Sequence, residues 1–495
     1  MARPGVTLVA ASIVLAAGAV SAADDVVARA MRLYEQHHYE EAAQTLQAGL
    51  PALSPAGRAG AYLTLGMIYL GNAELHRELS ETAITVQLDY LKKLAVVRGA
   101  EGSRFANLYL GKALLESGEA REAAKYLERF SAQPGIPARY RAIAGASLGL
   151  SHFVGNNAQA ARAQWASVDT ADPEVQMALA AAYSRAGLKD RDPVAVGEAA
   201  LRKAGASPSP RLLEGLLTVY ARAGLTDKGL ELVRQTDLKE ASYTEALGQT
   251  KAISFYDVAA LGDLAALYRR ASVQYLERAT TDAQLKPAAD YYLGVAYAEA
   301  GEVERSQRAF STFLTLPTAA AAPPQRNRAR VRYATGQYLQ GQRGEAMAVW
   351  DGLAQEQSAD PELLAEILSA CARVRAGCAG VESRAARASE AGEGRKTRAL
   401  NIALGRLYLR RGDYGQAITY LEAGRDKSRK NRIESNDPLM LVNLAAAYYR
   451  GRQFSEGLEI YFEMSKHYPV VRRIQEAMQG MYAVEQKSAG DVRIF

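Results

Sequence analysis

The chain has 495 residues, with 60 Lys and Arg against 54 Asp and Glu, a formal net charge of +6, 48% hydrophobic residues and 23% charged ones. That balance excludes a disordered chain, which would be poorer in apolar residues and richer in charge. A chain this long is normally divided among several compact domains, unless it is a solenoid in which each repeat packs only on its neighbours.

The N-terminus reads as a secretory signal over residues 1–22. Arg3 is a positive start, and Val6–Ala17 is an apolar run too short to span a bilayer comfortably. Val20-Ser21-Ala22 offers small residues for cleavage before Ala23 or Asp24. The alternative is an uncleaved anchor. No cysteine follows the run, so a lipoprotein signature is missing, and no later stretch approaches twenty apolar residues. The expectation is a chain soluble beyond the inner membrane, periplasmic or secreted.

From about Val26 a spacing begins to recur. It is clearest at Gly405: Tyr408 lies one turn along the same face, Gly412-Asp413 breaks the helix, and Ala417 and Leu421 return on a second helix. The small residues at 405 and 417 let two antiparallel helices approach closely, with Tyr408 and Leu421 filling the space on either side. In chain order, a first trace is Tyr34, Ala42-Ala43 and Leu46. Leu65-Gly66 with Tyr69 is a weak copy, because Glu78 takes the small second-helix place. Gly111 leads to Leu114, Gly118, Ala123 and Leu127, and Gly149 leads to His152, Ala161, Trp165 and Pro173. Ala180-Tyr183-Gly187 follows, its second helix displaced by Leu188–Val194, and then Tyr220-Gly224. Further on come Gly294 with Tyr297, Gly301, Ser306 and Phe310, then Ala346-Trp350, and finally Ala445 with Tyr448, Gly457, Tyr461 and Pro469. Unit lengths of about 34 residues mark a helical-hairpin solenoid.

Between about Lys239 and Ala283 the spacing fails. Leu261, Leu264, Leu267, Tyr268 and Tyr275 form a continuous helical stripe up to Thr280-Thr281, read as an irregular helical segment. Leu316–Pro324 and Ala206–Pro210 read as inter-repeat breaks, and Gly377–Gly394 as a short helix with a loop. The divisions expected are 24–238 for N-terminal repeats, 239–283 for the irregular segment, 284–487 for C-terminal repeats with a capping helix, and 488–495 for a frayed tail. No strand-like alternation of useful length is evident, so an all-α chain is expected.

Leu-Gly and then Tyr on one helix, with Ala and then an aromatic on the next, resembles the tetratricopeptide repeat family from about Val26 to about Glu485. The resemblance implies a right-handed superhelical solenoid whose first helices line a concave, peptide-holding groove. On the strongest repeats the residues expected to face a partner are Arg406, Arg410, Asn443, Tyr449 and Arg450, against the alternative of a solvated face. Some family members clamp a C-terminal carboxylate with a Lys and Asn set, but the matching places here hold Ile402 and Arg406, so that activity is not carried over.

Other chemistry is sparse. Cys371 and Cys378 are either a disulfide, permitted by a break at Gly377, or two buried thiols; on one straight helix they would stand too far apart. Gly145–Gly149 spells a nucleophile elbow, which needs a strand and a sharp turn, but lies within a repeat helix. Gly392–Thr397 only hints at a phosphate loop. His37, His38, His76, His152 and His467 offer no metal-ligand spacing, and no cofactor is expected. Glu382-Ser383 and Glu434-Ser435 lack the flanks of a lytic transglycosylase. Arginines at 326–332 and 425–432 are either solvated loops or contacts for an acidic protein, polymer or lipid headgroup; nucleic acid does not suit an exported chain. The expectation is a non-catalytic scaffold of an envelope assembly, with a chaperone for exported polypeptides or an accessory arm of an envelope enzyme as alternatives.

Overall fold

The computed structural model describes residues 22–96, 104–188, 190–236, 238, 240–247, 251–317, 323–356, 360–391, 395–426 and 436–488. Residues 1–21 of the expected signal, linker residues 318–322, Gly392–Gly394, the arginines from 429 to 432 and the tail beyond 488 lie outside that set. The structure is 81% helical, an all-α repeat architecture. Its contacts form two compact units, one running to Leu75 and resuming at Tyr268–His467, the other spanning His76–Leu267 with Tyr468 onward.

The second unit stacks four hairpins: Ala106–Glu116 with Ala120–Ala132, Ala138–Val154 with Ala158–Ala166, Pro173–Ala186 with Pro193–Ala204, and Pro210–Ala223 with Thr226–Gln235. The first unit has hairpins at Ala22–Glu35 with Tyr39–Gly49, Lys286–Glu299 with Val303–Thr315, Pro323–Leu339 with Arg343–Glu356, Pro361–Val374 with Ala379–Ala391, Arg395–Arg411 with Tyr414–Gly424, and Pro438–Arg450 with Phe454–Ser465. Four of the first helices start in the same way. Asp172, Ser209, Asp360 and Asp437 cap them through side-chain oxygens, and proline takes the first helical position, where its missing N–H costs nothing. Pro173, read as closing one repeat, therefore opens the next helix.

The turns are as uniform. Gly412 has φ +84°, donates to the Leu409 carbonyl at 3.2 Å, and is followed by Asp413 donating to Tyr408 at 3.0 Å, the two crossed bonds of a Schellman turn. Arg452, at φ +62°, makes the same turn in the Ala445 repeat, which has no glycine there. The close-packing positions are sterically filled. A Cβ on Gly111 would fall 2.6 Å from Leu127, on Gly149 2.3 Å from Trp165, on Gly294 2.7 Å from Phe310, and on Gly405 2.5 Å from Leu421. Ala123, Ala161, Ala417 and Ala445 are wholly buried.

Four of the repeat tyrosines are also pinned to the element before them. The hydroxyls of Tyr220, Tyr297, Tyr408 and Tyr448 donate to Glu198 (3.2 Å), Glu277 (2.8 Å), Glu382 (2.8 Å) and Glu422 (2.9 Å). A base holds each of those carboxylates in turn: Lys228, Arg305, Arg411 and Arg425. Burial, and then the facing carboxylate, pushes the phenols of Tyr220 and Tyr408 up to about 12.

Two expectations need correction. The Gly66 copy is not a hairpin: Pro55–Val96 is one continuous helix. Gly66 has its close neighbour on the Ala259–Ala279 helix instead, where Leu276 would lie 2.4 Å from an added Cβ and the Ser272 hydroxyl donates to the Gly66 carbonyl at 2.7 Å. Residues 243–247 and 251–255, read as part of an irregular helical segment, are instead two antiparallel strands, β1 (Tyr243–Leu247) and β2 (Lys251–Phe255), with Tyr243 opposite Phe255. Tyr243 and Glu245 are buried while Thr244 is exposed, the two-residue alternation of a strand with one covered face. The stripe after it is helical and ends at Ala279, just before the threonine pair.

Cys371 and Cys378 are joined, with Cα atoms 6.3 Å apart. The helix break that allows this comes at Arg375 (φ +53°), whose N–H caps the Cys371 carbonyl, rather than at Gly377.

Candidate functional site: the face of the first helices

The residues expected to meet a partner divide sharply. Asn443 is 4% exposed and donates to its own helix at the Leu439 carbonyl (2.6 Å), and Tyr449 is 5% exposed, edge-on to Phe454 at 5.4 Å. Both belong to the core and are removed from the patch. The helix carries ten buried residues from Pro438 to Tyr449, so nearly its whole girth is covered. Arg410 and Arg450 are exposed and Arg406 is half-buried. The 326–332 arginines prove largely internal: Arg328 and Arg332 pair with Glu362 and Glu366 of the next first helix at 2.7 Å each, and Arg326 caps the carbonyls of Leu314 and Leu316. Arg330 stays exposed.

In the second unit the first-helix face is occupied by the chain itself. Tyr109, from Ala106–Glu116, stacks on Phe255 (4.7 Å between ring centroids) and on Tyr243 (6.2 Å). Arg211, from Pro210–Ala223, lies 4.4 Å over the Tyr243 ring, donates to the Tyr109 hydroxyl at 2.8 Å, and pairs with Glu245. Glu214, one turn along, accepts from the Tyr243 hydroxyl and from Arg473 at 2.5 Å. Arg473 and Glu214 are 2% and 3% exposed. Burial raises the Glu214 carboxyl, against the pull of the Arg473 charge.

Below the hairpin lies a second set of pairs. Lys112 meets Asp257 at 2.5 Å; Arg185 pairs with Glu116 and approaches Asp263 at 3.6 Å; and the Thr218 hydroxyl donates to Asp263 at 2.5 Å. Burial works against the Asp257 charge, but the Lys112 and Arg185 charges outweigh it and hold the carboxyl below its ordinary value. Between these groups is a cleft of about 80 Å³, lined by Lys112, Arg185, Arg211, Glu174, Glu214 and Asp257 among others. Three cations face three acids, so the cleft is balanced, with room for a few waters. Ser147, centre of the elbow-like pattern, also lines it, but its hydroxyl bonds the Ile143 carbonyl in its own helix at 3.4 Å, and no histidine is present. Among the described residues there is no cluster of metal-ligating side chains, and no helix long and apolar enough to cross a membrane.

No protein-family model matches the chain, and no curated protein does. Solved structures match the chain at very low identity. The TPR domain of P58(IPK) is 12% identical over 78% of this chain and 99% of its own, with a TM-score of 0.19. The APC/C hetero-tetramer Cut9-Hcn1 gives 13% over 93% and 96%, with a TM-score of 0.27. The maize pentatricopeptide repeat protein PPR10 gives 15% over 99% and 74%, with a TM-score of 0.25. Scores this low carry no argument. The fold rests on the chain's own hairpins, their glycine contacts and their Schellman turns, and by these the chain is an all-α helical-hairpin repeat protein whose hairpins resemble tetratricopeptide repeats.

Proposed function

We propose that this chain is a non-catalytic scaffold that binds protein partners of a cell-envelope assembly, such as secretion, polysaccharide export, pilus or surface-motility machinery. The carrying observation is that stacked helical hairpins make up most of both units, an architecture whose product is surface rather than a reaction centre. Location beyond the inner membrane draws support from the Cys371–Cys378 disulfide, which persists in an oxidising compartment, and from the signal-like character of residues 1–22. Arg406, Arg410 and Arg450, on the first helices Arg395–Arg411 and Pro438–Arg450, are the candidate partner contacts in the first unit. Their charge suits an acidic protein or a membrane-associated partner better than nucleic acid.

Fractionation of the native host with N-terminal sequencing tests the location: a periplasmic protein starting at Ala23 or Asp24 is expected, and a cytosolic one starting at Met1 overturns it. Crosslinking with mass spectrometry tests the role. A stoichiometric complex that Arg406→Glu with Arg410→Glu weakens is expected; a spread of unfolded clients would replace the scaffold with a chaperone.

A further inference from the structure

The Tyr243–Glu245 pair is held as a docked peptide is held. The β1 backbone pairs with β2 in register, and among the described residues no backbone bond joins it to a helix. What holds it against the helices is a set of side chains. Alternation puts Tyr243 and Glu245 on one face of the strand. The spacing of Arg211 and Glu214 puts both on one face of a helix. The two spacings match: Arg211 takes the tyrosine ring and the acid together, and Glu214 accepts the hydrogen bond of the phenol. Tyr109 stacks against the same ring at 6.2 Å between centroids.

We propose that β1 is an intramolecular stand-in for a partner segment. The first-helix face of the second unit binds an extended peptide bearing an aromatic residue and, two positions later, an acid. The chain's own hairpin must leave before such a partner can dock. This rests on the reading of the chain as a protein-binding scaffold, and adds the chemistry of one partner and a closed state.

The test uses the full chain and a labelled peptide of residues 241–247, Ala-Ser-Tyr-Thr-Glu-Ala-Leu, with fluorescence anisotropy as readout. Tyr243→Ala with Glu245→Ala removes the internal anchors and leaves the face intact. The peptide is expected to bind that variant about tenfold or more tightly than the unaltered chain, because the internal occupant no longer competes. Adding Arg211→Ala, or replacing the peptide's Tyr and Glu by Ala, should abolish binding. Equal affinity for both chains, or none for the variant, overturns the proposal. Hydrogen exchange on the unaltered protein gives a second reading that no folding defect can obscure. β1 amides exchanging well ahead of the Pro210–Ala223 amides support displacement; equal protection makes the hairpin fixed core and overturns it. Either failure leaves the Arg406 and Arg410 capture experiment standing.

Discussion

Gly405→Ala and Gly352→Ala make the same chemical change in two helix interiors, yet only the second should stabilise the protein. Alanine gains about 1 kcal/mol over glycine in a helix from backbone entropy alone. At Gly352, in Arg343–Glu356, an added Cβ meets nothing within 4 Å, so that gain is realised in full. At Gly405 the new Cβ would stand 2.5 Å from Leu421 Cγ, 3.0 Å from its Cδ2 and 3.0 Å from its backbone nitrogen. A rotamer change can move the first two atoms but not the third, so the Tyr414–Gly424 helix itself must shift. Overpacking of this kind costs about 1–3 kcal/mol, which outweighs the propensity gain or cancels it. The two variants should therefore differ by roughly 1–3 kcal/mol, a gap of about 2–4 °C in Tm for each kcal/mol in a unit of this size. Melts followed by circular dichroism measure it, and Gly405→Leu should fall further still. If both alanine variants melt above the parent by the same margin, the helices do not meet at residue 405 and the repeat register is wrong.

Tyr408→Phe should cost about 1 kcal/mol through the lost bond to Glu382, and a double-mutant cycle with Glu382→Gln should recover most of that as coupling. The same phenol, pushed up to about 12 by burial and Glu382, favours the folded state only while neutral. Its contribution is whole below about pH 10, the ordinary tyrosine value, and is lost as pH rises toward 12; the alkaline melting curve of Tyr408→Phe should accordingly be shallower. Asp257, held low by Lys112 and Arg185, acts in the other direction: its stabilisation is present above about pH 4 and disappears as pH falls through its lowered value. The penalty of Asp257→Asn should thus be plain at neutral pH and shrink under acid; a penalty independent of pH would show that the charge of Asp257 is not what matters. Replacing both Cys371 and Cys378 by serine opens a short loop and should cost about 2 kcal/mol. A variant that melts with the parent under oxidising conditions would show that the hairpin holds its shape unaided.

What was legible in the sequence was what lies close along the chain. Gly294 and Phe310, or Gly405 and Leu421, meet within one hairpin, so a fixed spacing carries the contact. Turns were legible where glycine takes the left-handed place, as at Gly412, and invisible where Arg452 takes it, because the backbone and not the residue type defines the motif. Lys251-Ala-Ile-Ser-Phe carries a short strand alternation that the surrounding leucine stripe masks. Tyr408 was assigned a place in the repeat, but its hydrogen bond to the helix before was not, since a phenol finds its acceptor only once repeats are stacked.

The sequence by itself determined the class of fold: small residues, tyrosines and breaks recurring at one spacing commit the chain to helical hairpins, since that chemistry is local. Tertiary structure alone decided that Gly66 packs on a helix 206 residues further on at Ser272, that Asn443 and Tyr449 turn inward, and that Tyr243 and Glu245 lie on Arg211 and Glu214. Side-chain periodicity says which face of an element is apolar. Which distant surface covers that face is settled only when the whole chain competes for it.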